Sequence, residues 1–204
     1  PALVAAHALA FGQGLAQQGV IPALKHFPGQ GGAQKDSHLG LTDITRCWNA
    51  KADLAPYAQA FAQGWPGMVM LGHLFHTGLD ANYPATLSHA VVADLLRGRM
   101  GWRGVIISDD MQMKAITDHY GLEQAVLLAV NAGVDILLFG NNLYWDENLP
   151  QKAFATLKGL VESGRISQQR IVESWQRICN LYTTRGTAAR GAADGSAALY
   201  PWGR

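Results

Sequence analysis

The residues of this chain that could do chemistry fall in two short stretches. In the first, Lys25-His26-Phe27-Pro28-Gly29-Gln30-Gly31 is followed closely by Asp36-Ser37-His38. A cation, two imidazoles and a carboxylate thus share one glycine-containing segment. A carboxylate two residues from an imidazole can orient the ring and favour its protonated form, so Asp36 and His38 are a candidate proton-transfer pair. Pro28, Gly29, Gly31 and Gly32 suit a mobile loop able to act as a lid. In the second stretch, Val105-Ile106-Ile107-Ser108 runs into two carboxylates, Asp109 and Asp110. A carboxylate at the end of a buried strand can attack an anomeric carbon or stabilise an oxocarbenium ion. A solvated loop position is the plainer alternative for such a residue.

Other candidates are weaker. Lys25 and His26 could form an ion pair at a core rim or hydrogen-bond to sugar hydroxyls. His73, closing another apolar run, has a similar position, and with His76 it could be taken for a metal pair, although no third ligand is evident. No metal site and no cofactor are expected. His7 and His89 read as helix residues. Asn141-Asn142 could meet substrate or make a turn, and Trp145 is the one tryptophan placed where it could stack on a sugar.

Elements must deliver these groups to one place. Apolar runs at Val20–Lys25, Met68–Leu71, Gly104–Ser108 and Val134–Phe139 read as strands. Helical patterns precede them at 2–18, about 51–63, 89–99 and 122–132, and two more follow near 150–163 and 167–182, the last with Ser167 as N-cap. Continuous apolar strands alternating with helices argue an α/β fold with a parallel sheet. Polar residues close every strand, which favours a barrel, where chemistry gathers at the C-terminal strand ends, over a doubly wound sheet with one switch point. A complete barrel needs roughly 250 residues. With about four βα units, the expectation is the C-terminal half of a TIM-type (β/α)8 barrel over residues 1–182. The Gly/Ala-rich stretch 183–204 is expected to be a disordered tail.

Composition bounds the remainder. The chain has 204 residues and a formal net charge of +1. No basic patch suggests nucleic acid, and no apolar run is long enough for a membrane span, so neither partner is expected. Cys47 and Cys179 match no metal or redox spacing and read as unpaired thiols, consistent with a reducing compartment. A bacterial cytoplasmic location is expected. The chain opens Pro-Ala-Leu-Val inside a helical pattern, so its true N-terminus is expected to be missing.

Taken together, Lys25-His26-Phe27-Pro28-Gly29-x-Gly31 with Asp36-Ser37-His38, and Ser108-Asp109-Asp110-Met111-x-Met113, resemble motifs of glycoside hydrolase family 3 in its β-N-acetylhexosaminidase branch. Asn82-Tyr83-Pro84-Ala85-Thr86-Leu87-Ser88 and Ala132-Gly133-Val134-Asp135 also resemble that family. The resemblance implies a retaining exo-β-N-acetylhexosaminidase acting on terminal β-linked N-acetylglucosamine, in a glycan or glycopeptide such as those of peptidoglycan turnover. It implies Asp109 as nucleophile, His38 paired with Asp36 as acid/base, and Lys25 and His26 holding the sugar, with His73 as a further contact. Gln30 stands where the family commonly has His. The family's substrate-holding Asp and Arg lie in a first half-barrel not represented here. The competing readings are a truncated, non-catalytic or merely sugar-binding remnant, and a phosphorylase variant using phosphate in place of water.

Overall fold

The computed structural model describes residues 1–33, 40–142 and 144–190, with side chains described through residue 183. Helix α1 (Ala2–Gln17) leads into strand β1 (Ala23–Phe27). The short strand β2 (Thr42–Asp43) and helices α2 (Ala50–Asp53) and α3 (Ala55–Ala62) precede β3 (Met68–Leu71) and the short β4 (Leu74–Phe75). A π-type helix over Ala90–Arg99 leads to β5 (Ile106–Asp110). Helices α4 (Lys114–Thr117) and α5 (Leu122–Ala132), strand β6 (Ile136–Leu138), and helices α6 (Leu149–Glu162) and α7 (Gln168–Arg190) complete the order. No helix among the described residues is long and apolar enough to cross a membrane.

Four strands form one parallel sheet in the order β1-β3-β5-β6. Spatial order follows chain order with no reversal, as in a wall wound in one direction. A doubly wound sheet would reverse at its switch point. This is the half-barrel arrangement of βα units anticipated from the strand and helix pattern, with helices α1 and α3 packed together and α5 against α6.

Strand boundaries move for local reasons. The first strand begins at Ala23 rather than Val20, because Pro22 has no N–H for the ladder; its carbonyl instead accepts from Met68 N at 2.8 Å. The strand then continues through Lys25 and His26 to Phe27. Likewise β5 starts at Ile106 and extends through both aspartates, so Asp109 and Asp110 are strand residues. The helical pattern at 51–63 divides in two. Asn49 caps α2 through Ala52 N (3.1 Å), Asp53 returns a bond to Asn49 N (2.7 Å), and Pro56 stands in the first turn of α3. Helix α5 ends at Gly133, whose φ of 118° few other residues would accept. Ser167 caps α7 as expected, accepting from Arg170 N at 3.1 Å, and that helix runs past Tyr182 to Arg190.

The core lies between sheet and helices. Phe27, Val69, Leu71, Ile106, Leu96 and Val92 are all but excluded from solvent, and Trp65 and Trp102 close one end of it. A smaller cluster of Val126, Val130, Leu160 and Ile166 joins α5 to α6. Beneath the sheet lies a polar hub. Asp135, wholly buried, accepts from Arg97 (2.7 Å) and Ile106 N (3.0 Å) on one oxygen. Its other oxygen accepts from Ser174 (2.8 Å), Arg177 (3.0 Å) and Arg170 (3.4 Å). Arg97 also reaches the main-chain carbonyls of Gly104 and Gly133, and Arg170 those of Val130 and Val134. Burial draws the Arg97 guanidinium below its ordinary pKa, and Asp135 counteracts that pull. The hub bolts α7 to the starts of β5 and β6.

Candidate active site

Because all four sheet strands are parallel, their C-terminal ends open on one face, where barrel chemistry is done. Strand β1 delivers His26 and β5 delivers Asp109. His26 Nε2 lies 3.5 Å from Asp109 Oδ2, with the two side chains 23% and 16% exposed. The other Asp109 oxygen, Oδ1, accepts from the Asp110 main-chain N–H at 2.9 Å. One oxygen is thus held by backbone while its twin faces an imidazole and partial solvent.

The two adjacent carboxylates have separate tasks. Asp110 Oδ1 accepts from Gln112 N and Gly140 N, both at 3.0 Å, which ties the loop after β6 to the end of β5. Gly140 is needed for that approach, since a Cβ there would stand 2.6 Å from Asp110 Oδ2. Between them Ser108, fully buried, accepts from Leu138 N at 2.9 Å where the β5–β6 register shifts. Asp110 and Ser108 are therefore spent on shape, and Asp109 is the carboxylate of this motif left facing His26.

Lys25 is exposed and, with Leu24, His26, Gly29 and Gln30, lines a cavity of about 650 Å³. The peptide bonds Lys25–His26 and Phe27–Pro28 are both cis. The loop that follows is fastened at its start. Gly29 N donates to His26 O (2.8 Å), Ala33 N to Gln30 O (2.9 Å), and Trp48 Nε1 to Pro28 O (2.9 Å). Strands β2 and β4 pair in parallel through Thr42 and Leu74, joining the segments that follow β1 and β3. Asp36 and His38 lie outside the described residues.

His73, anticipated as a sugar contact, has another position. It is fully buried, with Nε2 2.9 Å from the Asp110 carbonyl and Nδ1 2.9 Å from Thr86 Oγ1. Both ring nitrogens are taken by protein, so the ring has no polar atom to offer a substrate. Burial pushes its pKa below the usual histidine value, against the Asp110 carbonyl and the Asp109 and Asp110 carboxylates. A carbonyl can only accept, so Nε2 carries a proton and donates it to the Asp110 carbonyl. The Thr86 hydroxyl beside Nδ1 donates to the Gly72 carbonyl at 3.0 Å. His73 is a positioning residue that pins the Asp110 carbonyl and with it the end of β5.

His76 does not join His73 in a site. Its Nδ1 accepts from Gly78 N (3.0 Å) and Leu79 N (3.2 Å), and its ring meets Trp48 edge-on. Among the described residues no three His, Cys, Asp or Glu side chains converge as a metal site would require. His89 sits on the surface beside Asp94 at 3.6 Å. Asn141 turns inward. Its N–H donates to Gln112 Oε1 (2.6 Å), and its side chain exchanges two bonds with the Asp146 main chain, each 2.9 Å. Gln112 and Thr86 were not anticipated as site residues. The available signal was position alone: Gln112 follows the aspartate pair, and Thr86 lies in the Asn82–Ser88 stretch already singled out.

The chain is similar to known proteins. Beta-hexosaminidase A of Pseudoalteromonas piscicida is 33% identical over 180 residues, which are 81% of this chain and 30% of that protein. Beta-hexosaminidase LpqI of Mycobacterium tuberculosis is 43% identical over 151 residues, 68% of this chain and 37% of that protein. The solved glycoside hydrolase family 3 β-N-acetylglucosaminidase from Paenibacillus sp. str. FPU-7 superposes with a TM-score of 0.77 at 35% identity, covering 94% of this chain and 35% of its own. The chain therefore spans well under half the length of these relatives. The family description "Glycosyl hydrolase family 3 N terminal domain" matches residues 1–181, and the chain belongs to that family.

Proposed function

We propose that this protein is a retaining, exo-acting β-N-acetylhexosaminidase that removes terminal β-linked N-acetylglucosamine from a glycan or glycopeptide. The observation that carries the reading is Asp109. Its neighbour Asp110 is consumed by main-chain N–H groups, while Asp109 Oδ2 faces His26 at the strand mouth. Membership of family 3 and the names of the related β-hexosaminidases support the substrate class.

In this scheme Asp109 attacks the anomeric carbon as the glycosidic C–O bond breaks, and the leaving oxygen takes a proton from the His38 imidazolium. In the second step water gives a proton to neutral His38 and bonds to the anomeric carbon, releasing the Asp109 carboxylate. Asp36 favours the His38 cation that the first step needs. Lys25 and His26 hold hydroxyls of the sugar beside the cavity. An imidazole acid becomes neutral, not anionic, on giving up its proton, which adds less repulsion towards an anionic acceptor than a carboxylate would, and phosphate in place of water is the variant to be tested.

The decisive experiment is Asp109→Ala assayed with an aryl β-N-acetylglucosaminide. Turnover should fall by about 10³-fold or more, as for loss of a nucleophile; undiminished turnover removes Asp109 from the mechanism. His38→Ala should slow substrates with poor leaving groups by about 10²- to 10⁴-fold and activated aryl glycosides far less. Equal losses on both would contradict an acid role. Repeating the wild-type assay with inorganic phosphate, and looking for the sugar 1-phosphate, separates hydrolysis from phosphorolysis. A stably folded protein inert towards every such substrate would favour the non-catalytic remnant.

A further inference from the structure

The loop after β6 holds two aromatic side chains in solvent directly beside the candidate nucleophile strand. Tyr144 is 58% exposed and Trp145 79% exposed. Exposure of that size on a slack loop would mean little, because the ring could fold back. Here the main chain is hydrogen-bonded on both sides of Trp145. Gly140 N is held by Asp110 Oδ1 at 3.0 Å and Asn141 N by Gln112 Oε1 at 2.6 Å. Gln112 Nε2 then reaches forward to the Tyr144 carbonyl at 3.0 Å, fixing the residue before Trp145.

The residue after it is fixed as well. Asp146 N donates to Asn141 Oδ1, and the Asp146 carbonyl accepts from Asn141 Nδ2, both at 2.9 Å. The Asp146 carboxylate in turn accepts from Asn148 N (2.9 Å) and Lys152 Nζ (2.6 Å). Asn141 adopts a φ of 52°, a left-handed conformation that few residues tolerate, and its side-chain bonds compensate by closing the loop across its own neck. Among the described residues the sheet-side anchors of this loop are Asp110 and Gln112, within three residues of Asp109.

We propose that Trp145 is a preformed platform for the leaving-group side of the substrate, stacking on the apolar face of the pyranose ring next to the scissile bond. This rests on the glycosidase reading above and names the part of the substrate that reading leaves open. Main chain fastened on both sides of Trp145 lowers the ordering cost of presenting its ring, and aromatic rings recur where one ligand face is apolar and the other wet. Loop and Asp109 share the C-terminal end of the same parallel sheet, where β5 with Asp109 stands between β6 and the β1 residues Lys25 and His26. A second sugar ring is the occupant that also satisfies the chemistry, because a bond to such a ring is the one Asp109 would break.

The test compares two substrates of the same glycosyl group in the wild-type protein and in Trp145→Ala and Trp145→Phe. One is the β-1,4-linked disaccharide of N-acetylglucosamine, which has a leaving-group ring. The other is the β-configured N-acetylglucosaminyl fluoride, which has none. The ratio of kcat/KM for disaccharide to that for fluoride should fall about five- to tenfold in Trp145→Ala, as expected for loss of one stacking contact. Trp145→Phe should recover much of the ratio. An unchanged ratio with both substrates turned over overturns the platform while sparing the glycosidase reading. An equal loss on both substrates also overturns it, since it would place Trp145 in the glycosyl subsite or in the fold. Failure of the wild type on both substrates removes the glycosidase reading and the platform with it.

Discussion

Replacing Asp135 by Asn tests the physical account of the fold most severely. The two oxygens of this wholly buried carboxylate accept from Arg97, Ile106 N, Ser174, Arg177 and Arg170 at 2.7 to 3.4 Å. An amide keeps one acceptor oxygen and turns the other position into a donor. If the nitrogen lies on the Oδ2 side, it confronts Arg97 and Ile106 N; on the Oδ1 side it confronts Ser174, Arg177 and Arg170. Either way three guanidinium groups lose their shared counter-charge. Hydrogen bonds to charged groups contribute about 1.5–3 kcal/mol each, and breaking a buried ion pair costs about 3–5 kcal/mol. A loss of about 4 kcal/mol follows, a large share of the roughly 5–15 kcal/mol that holds a domain together. With a urea slope of about 2 kcal/mol/M, the unfolding midpoint should fall by about 2 M. Ser174→Ala, which removes a hydroxyl that donates to Asp135 and accepts from Arg170 but leaves the counter-charge in place, provides the scale at about 2 kcal/mol. A midpoint shift for Asp135→Asn below about 0.5 M would refute the reasoning. It would mean that the carbonyls of Gly104 and Gly133 satisfy Arg97, those of Val130 and Val134 satisfy Arg170, and Glu173 suffices for Arg177.

Two further outcomes concern the site. Burial lowers the His73 pKa from its ordinary 6.5, so the unfolded chain takes up a proton that the folded ring refuses. The corresponding stability is complete above about pH 6.5 and is lost as pH falls below it. His73→Gln should lose this acid-side slope, and equal declines in urea midpoint between about pH 7.5 and about pH 5.5 for both proteins would contradict the assignment. Gly29→Ala should destabilise the protein by about 1–3 kcal/mol, because φ there is 128° and the new Cβ would sit 2.5 Å from Asp53 Cβ. A melting temperature within about 1 °C of wild type would show that the loop yields freely.

Elements governed by near neighbours in the chain were legible from sequence. Met68–Leu71 is an unbroken apolar run, and Leu122–Ala132 is a periodic helix stopped by a glycine, and both have the anticipated limits. The first strand was misplaced by three residues at its start because an apolar Pro22 counts as strand by pattern yet cannot donate to the ladder. Within the site, sequence singled out the aspartate pair but could not divide the labour between Asp109 and Asp110. That division depends on Gly140, thirty positions away, whose N–H claims Asp110. His73 looked available for the same reason: nothing local reveals that Thr86 and the Asp110 carbonyl close around it. Asp135 stood out only as part of a family-like stretch, and its three arginines come from two helices distant in the chain.

The unreversed strand order has a consequence for how the molecule is made. Met68 pairs with Ala23, Ile106 with Val69 and Ile136 with Ile107, so each strand docks on one synthesised before it. During translation β3, β5 and β6 each leave the ribosome with a partner strand already made, whereas β1 waits for β3 and β2 for β4. From β1 onward this sheet grows by accretion along a single front, each newest strand offering its edge to the next. Asp109 reaches its place opposite His26 when the third sheet strand is laid down, before the loop that carries Trp145 has been translated.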